Sequence, residues 1–242
     1  SSYKPVEVKQ WVYNALNTGN RTVEIKRPCV RVQYYQNYEK LFHVDLAIYS
    51  TDKDYYGNEI NYIAKGFLNS SEDKKFWEPS EPFKLKELIK SKHLHSSDRA
   101  QFRRIIRYLK RWKDYKFSST QAGRPTGIAL TACCYNIFTP ENDYSYNYET
   151  SSFVCTYNDL RALQNVVNKI INMFNWKDQI SVRLPVQPYN DLFEKMSHSQ
   201  MALMKIELIV LRDTLVSASI DRDSFHACTN LRKVFGSDFP IS

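Results

Sequence analysis

The chain has 242 residues, 43% of them hydrophobic, with only 6 Gly and 9 Pro, and carries a formal net charge of +8. That composition suits one large domain or a small domain joined to a helical one, and excludes a low-complexity class. No run of about 18 apolar residues is present to span a membrane. The positive balance suits an anionic ligand, nucleoside triphosphates or nucleic acid, without choosing between them.

Five cysteines, at 29, 133, 134, 155 and 228, form no paired or zinc-like spacing. An odd, unpaired set predicts reduced thiols in a cytoplasmic protein. The opening SSYKPVEVKQ does not read as a signal peptide.

In chain order, residues 4–17 read as a short helix with Val6, Val8, Trp11, Val12 and Ala15 as its apolar positions, stopped by Asn17-Thr-Gly-Asn20. Alternation and β-branching predict strands at 22–26 and 29–35, a turn at 36–40 and a third strand at 42–49. Together they suggest a meander ending a sheet. Residues 51–80 read as loop-rich, with extended pieces at Tyr62-Ile63 and Phe67-Leu68. Helices are expected at 83–90, 98–115, 126–137, 159–174, 198–219 and 223–234. Asp98 with Gln101 matches a capping box, and Phe102, Ile105, Ile106, Leu109 and Trp112 form a buried stripe. The Tyr- and Asn-rich 139–158 reads as an excursion or long loop, and 182–186 as extended. Strands before 70 and helices after 80 predict an α+β chain, the edge of a catalytic lobe (1–80) followed by a helical lobe (81–242).

Asp45 stands in mid-strand with apolar neighbours. A charge there needs solvent, a partner or a metal. One reading pairs it with Arg31 on the neighbouring strand; the other makes it a metal ligand or general base. Mg²⁺ prefers carboxylate oxygen, and a two-metal site gathers several carboxylates around ions roughly 3.5–4 Å apart. One Asp cannot build it. Asp52 and Asp54 form a D-x-D, but in a polar stretch after the strand.

On the 98–115 helix, Arg103, Arg107 and Lys110 share a face, with Arg111 beside them. Such a row can hold a polyphosphate or simply be solvated. Gly123-Arg-Pro-Thr-Gly127 follows, a helix start with free N–H groups and a hydroxyl suited to an anion, but not a Walker A loop.

Taken together, KRPCVRVQY (26–34), FHVDLAIY (42–49), FWEPSEPFKLKELI (76–89), FRRIIRYLKRWKDYKF (102–117), GRPTGIALTACCYN (123–136), VRLPVQPYNDLFEKMS (182–197) and FGSDFP (235–240) resemble, in order, the cGAS/DncV-like nucleotidyltransferases, bacterial enzymes that make cyclic oligonucleotides. The resemblance implies edge strands of a polymerase-β-like catalytic lobe followed by a helical lobe. It implies that Asp45 is the third catalytic carboxylate and a ligand of Mg²⁺ or Mn²⁺. It implies that Lys110, aided by Arg107, holds the triphosphate of ATP or GTP and that Thr126 helps; the Tyr-rich insertion would add base stacking.

The family's GS motif and first acidic pair have no counterpart here. The expectation is therefore a chain inactive alone, whose partner is the missing N-terminal part of the same core. The implied product is a cyclic di- or trinucleotide second messenger of antiviral defence, made with release of pyrophosphate and with no need for a membrane or nucleic acid. Two alternatives stay open: an inactive nucleotide-binding or scaffold relative, and a nucleic-acid-binding module.

Overall fold

The computed structural model describes residues 3–18, 21–118 and 123–241. The fold is α+β, as expected. It divides into two compact units, one comprising residues up to 85 with 186–188, the other comprising 86–185 with 189 onward.

The first unit opens with helix α1 (Pro5–Leu16), whose proline occupies the first turn, where no N–H is needed. The Gly19-Asn20 part of the expected stop lies outside the described residues. Trp11 and Ala15, expected in the buried stripe, are exposed. The buried positions are Pro5, Val6 and Lys9. Lys9 is fully buried, and its ammonium donates to the carbonyls of Lys26 (3.0 Å), Arg27 (2.5 Å) and Gly66 (2.8 Å). A charge out of water is tolerated because every N–H finds an acceptor. The α1 register is thus set by a cation that hydrophobic periodicity does not register.

Strands β1 (Thr22–Ile25), β2 (Val30–Gln36) and β3 (Glu39–Leu46) form the expected antiparallel meander. Asn37 and Tyr38 both take left-handed φ, 50° and 66°, the signature of a two-residue hairpin turn. Val23, Val30 and Val32 are buried, with Val12, Tyr13 and Leu16 of α1 packed on them.

The single strand expected at 42–49 is two. β3 ends at Leu46, and β4 (Tyr49–Lys53) joins β5 (Glu59–Lys65) and β6 (Phe76–Pro79) in a second sheet. The stretch expected to be loop-rich therefore holds most of a three-stranded sheet, the extended piece at Tyr62-Ile63 lying in β5, while Phe67-Leu68 lies outside any strand. β4 is exposed along most of its length, so its residues are polar on both faces and give no alternation to read. Asp54 closes the β4–β5 turn, its Oδ1 accepting from the N–H groups of Tyr56 and Asn58, with Gly57 at φ 82°. Helix α2 (Pro82–Ser91) spans the boundary between the units.

The second unit holds α3 (Ser96–Lys116), α4 (Gly127–Ile137), α5 (Asp159–Asn172), α6 (His198–Ile220) and α7 (Ser224–Phe235). The expected α3 stripe is buried, and it packs with Leu130 of α4, Ile170 of α5, Leu208 of α6 and Val234 of α7 in one core. The expected Asp98–Gln101 capping box is absent. α3 starts at Ser96 after His95, with no side-chain cap. Gln101 instead exchanges two hydrogen bonds, each 2.9 Å, with the backbone of Glu141, and Asp98 accepts from Tyr157. The true capping box is Ser197 with Gln200 at the start of α6.

The Tyr-rich stretch is not a loop but a hairpin, β7 (Asn142–Asn147) with β8 (Ser152–Tyr157). In β7 the period-2 signal alternates tyrosine with polar residues rather than aliphatic with polar. Among the described residues no helix is long and apolar enough to cross a membrane.

Candidate functional site

Asp45 lies on β3 directly opposite Arg31 of β2. The guanidinium grips it as a fork, Nε to Oδ1 at 2.7 Å and Nη2 to Oδ2 at 2.9 Å. The hydrogen bonds from Arg31 hold the Asp45 carboxyl below the usual carboxylate range, against the opposing cost of partial burial. His43 Nε2 stands 3.9 Å from Oδ2. Neighbouring Cys29 is buried, and burial with the Asp45 charge raises its thiol. The pair is open to water: 39% of the Asp45 side chain is exposed and 30% of Arg31. Exposure to water screens this pair, while its forked geometry makes it stronger than a single surface contact.

Asp52 and Asp54 do not join Asp45. They belong to the other sheet, where Asp54 is spent on its turn. Among the described residues no group of three or more His, Cys, Asp or Glu is placed to hold a metal ion.

The second unit brings together two of the residues singled out by the sequence. Thr126 is the N-cap of α4, its Oγ1 accepting from the Ala129 N–H at 3.2 Å. It precedes the first helical residue, Gly127, so the helix begins one residue later than expected and Pro125 stands outside it. Lys110 runs across this helix start: a Cβ added to Gly127 would stand 3.3 Å from Lys110 Cε and 3.7 Å from Cδ. Gly127 is thus the cradle for the lysine stem, a role read only from the packing. The arrangement stacks an ammonium-bearing chain on the positive end of an 11-residue helix whose first N–H groups lack intrahelical partners.

Arg103 and Arg107 are exposed on the same helix as Lys110, and neither makes an ion pair among the described residues. Arg111 is otherwise employed: it donates to the Phe235 carbonyl at 2.7 Å and pairs with Asp238 at 3.0 Å, tying α3 to the end of α7. Arg104, on the other flank, forks onto Asp159 at 2.6 and 2.8 Å and pins α5. The basic row that remains available is therefore Arg103, Arg107 and Lys110.

No family model and no curated protein matches the sequence. Solved structures do. Vibrio cholerae DncV cyclic AMP-GMP synthase, a prokaryotic cGAS homolog, superposes with TM-score 0.64 at 17% identity, over 96% of this chain and 56% of that one. This chain has the DncV fold. The same enzyme in complex with the linear intermediate 5′ pppA(3′,5′)pG gives TM-score 0.64 at 18% identity, over 94% and 56%. Escherichia coli DncV in its 3′-deoxy GTP bound form gives 0.59 at 14%, over 93% and 54%. The chain thus spans about half the length of the DncV structures it matches, and at these identities the likeness speaks for the fold.

Proposed function

We propose that the chain is part of a nucleotidyltransferase that joins nucleoside triphosphates into a cyclic dinucleotide or a larger ring, releasing pyrophosphate. The observation that carries this reading is the Lys110 chain laid across the α4 start at Thr126 and Gly127, in a fold whose DncV representatives bind GTP and a triphosphate-bearing linear intermediate. In this reading Lys110 supplies a point charge to the triphosphate and Arg107 a planar fork. The Thr126 hydroxyl, whose oxygen already accepts from Ala129, keeps its hydrogen to donate to a phosphate oxygen. These groups neutralise the charge that builds on the leaving pyrophosphate as a ribose hydroxyl attacks the α-phosphorus and the bond to pyrophosphate breaks.

The Mg²⁺ or Mn²⁺ implied by the resemblance does not fit the residues described. Among them no group of three or more ligating side chains is gathered, and both oxygens of Asp45 are held by Arg31. The acidic groups that complete the reaction centre belong, in this proposal, to polypeptide outside these 242 residues, and Asp45 joins them only when released from Arg31.

That same Arg31 grip favours a second reading, a nucleotide-binding relative without catalysis. The two part on one experiment. Titration of labelled ATP and GTP should show saturable binding that Lys110→Ala weakens by about tenfold or more, as loss of a charge-assisted contact does. Equal affinity in the variant would sink both readings. Pyrophosphate release in whole-protein preparations, lost in Asp45→Asn while ATP binding is kept, selects the enzyme. Binding that follows long polyanions and collapses with salt instead selects a nucleic-acid module.

A further inference from the structure

Gly123 takes a left-handed backbone conformation, φ 70°, which glycine adopts without steric cost. Its surroundings demand glycine a second time. A Cβ built on it would lie 2.0 Å from Gln200 Oε1 and 2.4 Å from both Cδ and Nε2. The Gln200 amide therefore rests directly against the Gly123 backbone, with no room for a side chain between them.

Gln200 is held from yielding. It is the third residue of α6, and its Oε1 accepts from the Ser197 backbone N–H at 2.8 Å, one half of the capping box. α6 is itself anchored in the core by Met201, Met204, Leu208 and Leu211, all buried. The amide is thus a wall fixed to the helical unit.

A short, stiff link joins that wall to the candidate triphosphate contacts. Between Gly123 and the α4 cap Thr126 stand Arg124 and Pro125. Pro125 is buried, its ring fixes its own φ, and it confines Arg124 to extended backbone. Thr126 is extended too, at φ −86° and ψ 152°, and exposed. Gly127 follows, with the Lys110 stem packed across it. With so few soft dihedrals between, the place of the Thr126 hydroxyl and of the first α4 N–H groups follows from where Gly123 rests. Hydrogen bonds to a phosphate weaken steeply with distance and angle, so that placement matters.

We infer that Gln200 is a positioning residue for the triphosphate site: seated against Gly123, it holds the start of α4 and its Thr126 hydroxyl in register with Lys110. This rests on the nucleotide reading above. Gln200 acts through Gly123 rather than on the ligand.

A double-mutant cycle on the full chain tests this, with ATP and AMP affinities measured for each variant by competition against a fluorescent ATP analogue. Gly123→Ala should weaken ATP about tenfold and AMP less than about twofold, because the triphosphate end loses its register. Gln200→Ala clears the space the new methyl needs, so in that background Gly123→Ala should cost less than about threefold. Gln200→Phe presses on the same contact from the α6 side with Gly123 intact. It should reproduce the selective loss of ATP, and it carries the test if Gly123→Ala fails to fold. Ser197→Ala removes the other half of the capping box, the hydroxyl that accepts from the Gln200 N–H at 3.3 Å, and leaves the Oε1 bond in place. It should lower the unfolding temperature with ATP affinity kept. ATP affinity unmoved in Gly123→Ala and Gln200→Phe, equal losses for ATP and AMP, or losses that multiply in the double variant would each overturn the inference. So would a loss in Ser197→Ala as large as in Gln200→Phe, which would reduce Gln200 to a helix cap. Lys110→Ala in the same assay separates this inference from the reading beneath it. ATP affinity unchanged there defeats both, whereas weakening by Lys110→Ala with none by Gly123→Ala defeats the positioning role alone.

Discussion

The two units solve the problem of holding together in different ways. The helical unit buries a continuous core in which Trp112, Leu130, Ile170 and Leu208 are fully enclosed. The strand unit has a valine triad, Val23, Val30 and Val32, and relies on polar fixings: the Lys9 cage and the Asp54 turn. Its strand β3 is exposed at every residue but Leu46, including Phe42 and Val44. Burial is additive and forgiving, whereas a polar fixing needs every partner present. The candidate nucleotide contacts stand on the first kind of scaffold. The lone candidate carboxylate stands on the second.

That contrast can be tested in descending order of effect. Leu208→Ala removes side-chain volume from the centre of the helical core and should cost about 4 kcal/mol, read by denaturant unfolding followed by far-UV circular dichroism. A cost under about 1 kcal/mol would show the core to be loose. Lys9→Met keeps the length of the side chain but strands three carbonyls, and should cost the strand unit about 3 kcal/mol. Hydrogen exchange at β1 and β2 amides should speed up, with the α5 and α6 amides unmoved. Equal loosening of both units would erase the distinction between them.

Gly127→Val crowds the Lys110 stem without removing its charge, so triphosphate affinity should fall about threefold to tenfold while unfolding stays nearly unchanged. The smallest effect belongs to the Arg31–Asp45 pair. Arg31 lowers the folded-state pKa of Asp45, so its stabilising contribution is full above the ordinary carboxylate pKa. It is lost as pH falls through the depressed value. Because the pair is open to water, Arg31→Gln should change stability by at most about 1 kcal/mol and flatten that acid limb. A larger change would make the fork a structural pillar and count against its release during catalysis.

Legibility followed burial. The α3 stripe and α5 were readable because an apolar face repeats at helical spacing over several turns. The β1–β3 meander was readable because β2 alternates half-buried with buried. β4 was not, because an exposed strand carries polar residues that read as loop, and of β5 only Tyr62-Ile63 was read as extended. The Asp98–Gln101 spacing fits a capping box, but both side chains find partners distant in sequence, and those bonds win. Of the candidate site, Asp45, Arg107, Lys110 and Thr126 were named by type and order. That Gly127 makes room for Lys110, and that Arg111 is tied to α7, was not visible.

By itself the sequence determined the α+β order of elements, the basic face of α3, the hydroxyl at the start of α4 and the lone mid-strand carboxylate. Each follows from local rules of spacing and residue type. Only the tertiary structure decided which of those charges remain available. Arg104 and Arg111 are consumed by Asp159 and by the end of α7, Asp45 by Arg31, and Lys9 is drawn inside. A side chain's free valence is set by neighbours that arrive from anywhere in the chain, and local spacing carries no record of them.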